Sequence, residues 1–158
     1  MANICSVAMK VVLPTSEKED FLGLFFDYKK EYDKEKYANK RDNFASCSLN
    51  GFDVLSVNKD KGLVEMMVYF DCRWSVYTCL VSGYPNPEER SLTLKEALEK
   101  YKVKYLYLIS EECGVGFNER FEYNANEENL DELDMDEALE ERDYWCEPEN
   151  TYVDLNEF

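Results

Sequence analysis

From residue 3 to residue 13, Val7, Met9 and Val11 alternate with Ala8, Lys10 and Val12, and Pro14 ends the run. This pattern predicts a first strand. Ser16-Glu17-Lys18-Glu19 then has the form of a capping box, in which a Ser hydroxyl takes an amide of the first turn and a Glu reaches back to the cap. Phe21, Phe25, Tyr28 and Tyr32 follow at helical spacing, with Leu22 and Phe26 widening the apolar face, which predicts a helix lying on a sheet. Residues 29–41 are the one basic stretch of this half, but Glu31, Asp33 and Glu35 interrupt it, so it reads as a mixed solvated face.

Two apolar runs, 44–49 and 52–57, flank Asn50-Gly51. That pair favours a type I′ turn because both residues accept positive φ, so a hairpin is predicted there. Residues 58–62 form a second turn, and 63–70 is a nearly continuous apolar strand, as expected in the middle of a sheet covered on one side by helices. Glu65 is its one charge and is expected to mark an exposed side. The irregular stretch 71–87 carries Trp74, Tyr77 and Tyr84; it is either a loop folded over the sheet edge or an aromatic binding surface. Thr93 and Glu96 form a second capping box, with Leu92 and Ala97 as its staple, before a short helix over 94–101. A strand over 103–110 follows. Gly114 and Gly116 break the chain, and Phe117, Phe121 and Tyr123 alternate with Asn118, Arg120 and Glu122 as a last strand. The order β–α–β–β(–β)–α–β–β predicts an α+β domain over residues 1–123: a ferredoxin-like antiparallel sheet with two helices on one face.

Charge changes the picture beyond residue 123. From 124 to 158 there are fourteen Asp or Glu against one base, Arg142, a net of −13, whereas residues 1–123 carry only −3 of the total −16. Residues 124–158 are therefore read as an acidic C-terminal extension. Its pattern is not random: Asn129-Leu130-Asp131-Glu132 can cap a helix. Met135, Ala138, Leu139, Arg142 and Cys146 then share one helical face, and Asp136, Glu137, Glu140, Glu141 and Asp143 the other. Carboxylates fixed one turn apart can imitate the spacing of phosphates. Trp145, Tyr152, Leu155 and Phe158 point to a contact for the extreme C-terminus, with a partner or with its own domain.

The candidate chemistry is thin. There is no histidine, which excludes Ser–His and Cys–His catalysis. Cysteines stand at 5, 47, 72, 79, 113 and 146 without a Cys-x-x-Cys pair, so reduced, mostly buried thiols are expected rather than a zinc site. Gly114-Val115-Gly116 lacks the rest of a phosphate-loop motif and reads as a turn. Glu111-Glu112 could form a carboxylate dyad, but nothing sets it across a cleft. No catalytic residue, metal ligand or cofactor is expected. No run of eighteen apolar residues and no basic, apolar leader occurs, so a cytoplasmic protein is expected. A pI near 4.4 argues against direct contact with nucleic acid or an anionic membrane.

Three short motifs carry a resemblance. Met1-Ala2-Asn3-Ile4-Cys5-Ser6 resembles the Met-Pro-Asn-Trp-Cys opening of the YubB ferredoxin-like domain family, with Ile4 in place of the tryptophan. Phe70-Asp71-Cys72-Arg73-Trp74-Ser75 resembles its strand ending in a Trp-Ser-Pro-Pro turn, with Val76-Tyr77 in place of the prolines. Glu111-Glu112-Cys113-Gly114-Val115-Gly116-Phe117 resembles its Glu-x-Gly-x-x-Phe turn. The resemblance spans roughly residues 1–123, implies a phage or plasmid origin, and transfers no catalytic residue.

Many carboxylates on one segment attract basic protein surfaces, and the surfaces that gather many bases in one groove bind DNA or RNA. The expectation is a non-enzymatic acidic protein that inhibits a host defence enzyme, a CRISPR or restriction effector, by nucleic-acid mimicry. Its partner-binding residues would be Asp136, Glu137, Glu140, Glu141, Asp143 and Trp145, with Trp74 and Tyr77. The alternative is an interaction module whose acidic tail is a solubility device or an intramolecular clamp, and a third reading is a small enzyme using carboxylates and a divalent metal. Self-association is left open.

Overall fold

The computed structural model describes residues 4–25, 44, 46–81, 92–112, 117–127, 129–132 and 147–158. They form a mixed α+β fold built on one six-stranded sheet. The strands are β1 (Ile4–Pro14), β2 (Cys47–Asn58), β3 (Leu63–Arg73), β4 (Tyr105–Glu112), β5 (Phe117–Asn124) and β6 (Asn129–Glu132). Their order across the sheet is β2-β3-β1-β4-β5-β6, and every neighbouring pair is antiparallel. Three short α-helices accompany them: α1 (Lys18–Leu22), α2 (Leu94–Lys100) and α3 (Glu147–Asn150).

The alternation in β1 sorts the two faces. Cys5, Val7, Met9, Val11 and Leu13 point into the main core with Val64, Met66, Val68, Phe70 and Cys72 of β3, under Phe21, Leu22, Leu94 and Leu98 from α1 and α2. Phe21 and Phe25 pack edge-on against Phe44. The other residues of β1, Ala8 and Val12, join Leu63, Met67, Tyr105, Tyr107 and Ile109 in a second core, closed by Leu155 with Val153 and Phe158. The C-terminal residues thus cover the sheet face opposite α1 and α2.

Several expectations hold. The capping box at Thr93 and Glu96 forms in both directions, and residues 58–62 make the β2–β3 turn with Gly62 at φ +65°. Four are corrected. Cys47–Asn58 is one strand, not a hairpin: neither Asn50 nor Gly51 has positive φ, and Asn50 is absorbed as the extra residue of a bulge between Leu49 and Gly51. The Ser16 box does not form; Thr15–Glu17 is a 3-10 turn, and α1 starts without a side-chain cap. Residues 129–132 are a strand, because the edge of β5 offers Phe121 to Asn124 as pairing partners and ladder bonds override a weak local cap. Glu65 is buried, because the terminal segment covers its face.

Candidate functional site

At the end of β3 the chain turns sharply. Trp74 adopts φ +65°, a left-handed conformation that a bulky residue rarely takes and that costs on the order of 1–3 kcal/mol. The turn that follows is tied down through several of its amides. Ser75 caps it, its hydroxyl accepting from Thr78 N at 3.0 Å. The buried Glu119 carboxylate of β5 accepts from Val76 N at 2.8 Å and Tyr77 N at 2.9 Å, and from Ser110 Oγ at 3.0 Å. A carboxylate here satisfies amides that a helical first turn leaves orphaned. Cys79 Sγ donates to Arg73 O at 2.7 Å and closes the turn from the other side. Outside this rigid base stand Trp74, 49% exposed, and Tyr77, 51% exposed. The aromatic stretch is therefore surface at these two residues, while Val76, Cys79 and Leu80 are core. Ile4, 61% exposed, pairs with Arg73 beside them.

Beneath the turn lie four free thiols. Cys5, Cys72 and Cys47 are register partners in a row across β1, β3 and β2, and all are buried, as is Cys79. Cys72 is the hub, in hydrogen-bond contact with Cys47, Cys5 and Cys79; these contacts and burial hold its proton well above the usual thiol range. Cys5 and Cys79 are lowered, first by that contact with Cys72 and against burial. Among the described residues no group of three or more Cys, Asp or Glu is placed to hold a metal.

The second built feature is the anchorage of the C-terminal segment. Lys10, a lone cation in an apolar strand, is buried and donates to the carbonyls of Glu149 at 3.0 Å and Thr151 at 2.5 Å, with Glu65 at 3.9 Å. It thereby caps the open carbonyl end of α3. Burial lowers its pKa, opposed by Glu65 and Glu149. Arg120 bonds Glu147 at 2.7 Å and Tyr107 Oη at 2.7 Å. At the far end Lys61 Nζ donates to Asn156 O at 2.6 Å and Asn58 Nδ2 to Asn156 Oδ1 at 3.1 Å.

These contacts fix both flanks of the acid-rich stretch 133–146. On one side Glu132 pairs with Phe121, and on the other Glu147 pairs with Arg120. Phe121 and Arg120 are consecutive residues of β5. Asp136, Glu137, Glu140, Glu141, Asp143 and Trp145, like the helix expected around them, lie outside the described residues, as do Tyr84, Cys113, Gly114, Gly116, Cys146 and the basic stretch 29–41. Sequence reasoning named Trp74 and Tyr77, which are exposed, and did not single out Lys10, Glu119 and Arg120. Lys10 carried a signal, a charge on the alternation of an otherwise apolar strand; Glu119 and Arg120 sat in a polar-looking strand and carried none. Comparison of the chain with family profiles, curated proteins and solved structures finds no match. No described helix is long and apolar enough to cross a membrane.

Proposed function

We propose that this chain is a non-enzymatic acidic protein of phage or plasmid type, acting in the bacterial cytoplasm. It would bind the basic groove of a nucleic-acid-handling defence enzyme, a CRISPR or restriction effector, and inhibit it by nucleic-acid mimicry. The observation that carries this reading is that Glu132 and Glu147, the residues on either side of stretch 133–146, are held on successive residues of one strand. The stretch holds six acids against Arg142. A segment whose two flanks are held would join a partner at lower entropic cost than a free tail. Asp136, Glu137, Glu140, Glu141 and Asp143 are the charged contacts of this proposal and Trp145 its anchor; Trp74 and Tyr77 offer a second, rigid contact. The strand order β2-β3-β1-β4, with α1 after β1 and α2 after β3, is in keeping with a ferredoxin-like plan extended by β5 and β6. The YubB resemblance and its mobile-element origin belong to the same proposal.

Expression in bacteria with an active restriction or CRISPR system tests it: phage plating is expected to rise with the wild-type chain. It is expected to stay at the restricted level when Glu137, Glu140 and Glu141 are changed to Lys. Unchanged plating with the wild-type chain across such systems counts against the proposal.

A second reading is favoured by Lys10, Arg120 and Lys61. The last twelve residues act as an intramolecular clamp on the sheet, so part of the acidic extension serves the fold rather than a partner.

A further inference from the structure

We infer that Cys72 is the pivot of a reversible oxidation site, at which hydrogen peroxide joins it through a disulfide to one of three neighbouring thiols. Four of the six cysteines, Cys5, Cys47, Cys72 and Cys79, are free and buried in the main core. Cys72 lies on β3 between β1 and β2, with Cys5 as its register partner on one side and Cys47 on the other. Both bulges of β2 lie beyond Leu49, so the ladder at Cys47 is regular. Directly opposed residues of antiparallel strands have Cα atoms about 4.5 or 5.5 Å apart, and a disulfide spans about 4.4–6.8 Å. The side chains of such a pair leave the same face of the sheet, here the face of the main core. Either pair can therefore close without a shift of the backbone. A residue's N–H and C=O point to one side of an antiparallel strand, so one of the two pairs of Cys72 is the closer, non-hydrogen-bonded kind. Cys79 reaches the same place from the turn, its Sγ on the carbonyl of Arg73 at 2.7 Å. The Cys72 thiol contacts all three neighbours.

An isolated buried thiol is inert. A thiol with another in contact is not, because the first oxidation product has a partner within reach. Cys79, the least buried of the four, lies on the turn that carries the exposed Tyr77, and is where a small oxidant enters. The sulfur of one thiol attacks an oxygen of the peroxide, the O–O bond breaks, and one water leaves as a sulfenic acid forms. The sulfur of the second thiol then displaces the sulfenic oxygen, which departs with the remaining proton as a second water. Two thiols lose two hydrogens, and one peroxide becomes two waters. Cys72 belongs to every close pair, so the cluster holds one bond at Cys72 at a time, and a free neighbour can take it over by thiol–disulfide exchange. The thiols are the resting state in a reducing compartment, where small thiols reverse the bond. The bond ties down the base of the turn that presents Trp74 and Tyr77. The inference does not depend on what the acidic stretch binds.

The test is a linkage map of the full chain after treatment with hydrogen peroxide under native conditions. Cleavage after Lys and Arg places these four cysteines on four separate peptides, so mass spectrometry without reduction names the bonded pair. The expected result is a loss of two hydrogens from the intact mass, a bond joining the Cys72 peptide to that of Cys5, Cys47 or Cys79, and full reversal by dithiothreitol. Circular dichroism is expected to stay that of the folded chain throughout. Cys72→Ala, with its fold checked in the same way, is expected to lose the bond. The inference is overturned if all four thiols stay free, if the bond joins Cys5, Cys47 or Cys79 without Cys72, if it forms only through Cys113 or Cys146, or if it forms only once the chain has unfolded.

Discussion

Glu119 shows how one side chain sets a surface. Its two oxygens hold Val76 N, Tyr77 N and Ser110 Oγ. Replacing it with Ala leaves three donors without that partner, so Glu119→Ala is expected to cost roughly 3 kcal/mol in urea unfolding. Glu119→Gln, which keeps one acceptor, is expected to cost about 1–2 kcal/mol. If neither moved the unfolding midpoint, the turn under Trp74 would not be held by this residue. The buried tyrosines predict an alkaline limit. Tyr105 is raised by burial and by Glu122, and Tyr107 is pushed up to about 12 by burial, with Arg120 opposing. The folded chain keeps protons that the unfolded chain releases near pH 10. Their contribution is therefore present below about pH 10 and lost as pH rises toward 12. Lys10 works in the opposite sense: its lowered pKa makes its charge costly at neutral pH, and that cost is relieved as pH rises toward 10.5. Tyr101 is likewise raised by burial, and three tyrosines against one lysine give a net fall. Denaturation midpoints are expected to drop above pH 10, and Tyr107→Phe to flatten the drop.

Among the elements, those whose sequence and surroundings agree were legible. β1, β3 and α2 follow alternation, an apolar run and a capping box, and each lies close to where the pattern puts it. Three of the four misses share one cause, which is partners distant in sequence. Asn50-Gly51 has the chemistry of a turn, but β3 continues past it to Arg73 and offers a ladder, so the pair becomes a bulge. Residues 129–132 have a weak cap, but β5 offers an edge. Glu65 looked exposed because nothing near it in the chain foretells that residues 147–158 lie over its face. That cover has a measurable role. Leu155→Ala is expected to cost about 2 kcal/mol, and deletion of 147–158 to cost more and to produce binding of a hydrophobic dye at the uncovered Met67, Tyr107 and Ile109. A deletion that leaves both stability and dye binding unchanged would show that the segment is not part of the fold.

At the scale of the molecule, charge is spread unevenly across the sheet. β2, with one charge in twelve residues, lies at one edge, and β6, which precedes the acid-rich stretch in the chain, at the other. The charge asymmetry was plain in the sequence; the fixing of its flanks was not, because Arg120 and Glu147 are twenty-seven positions apart. The direct measurement is displacement of labelled DNA from a restriction or CRISPR effector by the purified chain, followed by anisotropy at low and high salt. Wild-type protein is expected to release the DNA competitively, with a potency that falls steeply as salt rises, because many carboxylates would meet many Lys and Arg screened over about 8 Å at physiological ionic strength. The Glu137, Glu140 and Glu141 to Lys variant is expected to remain folded and to release none. Displacement that persists in that variant with unchanged salt dependence would contradict mimicry by the acidic stretch and shift the interface to Trp74 and Tyr77.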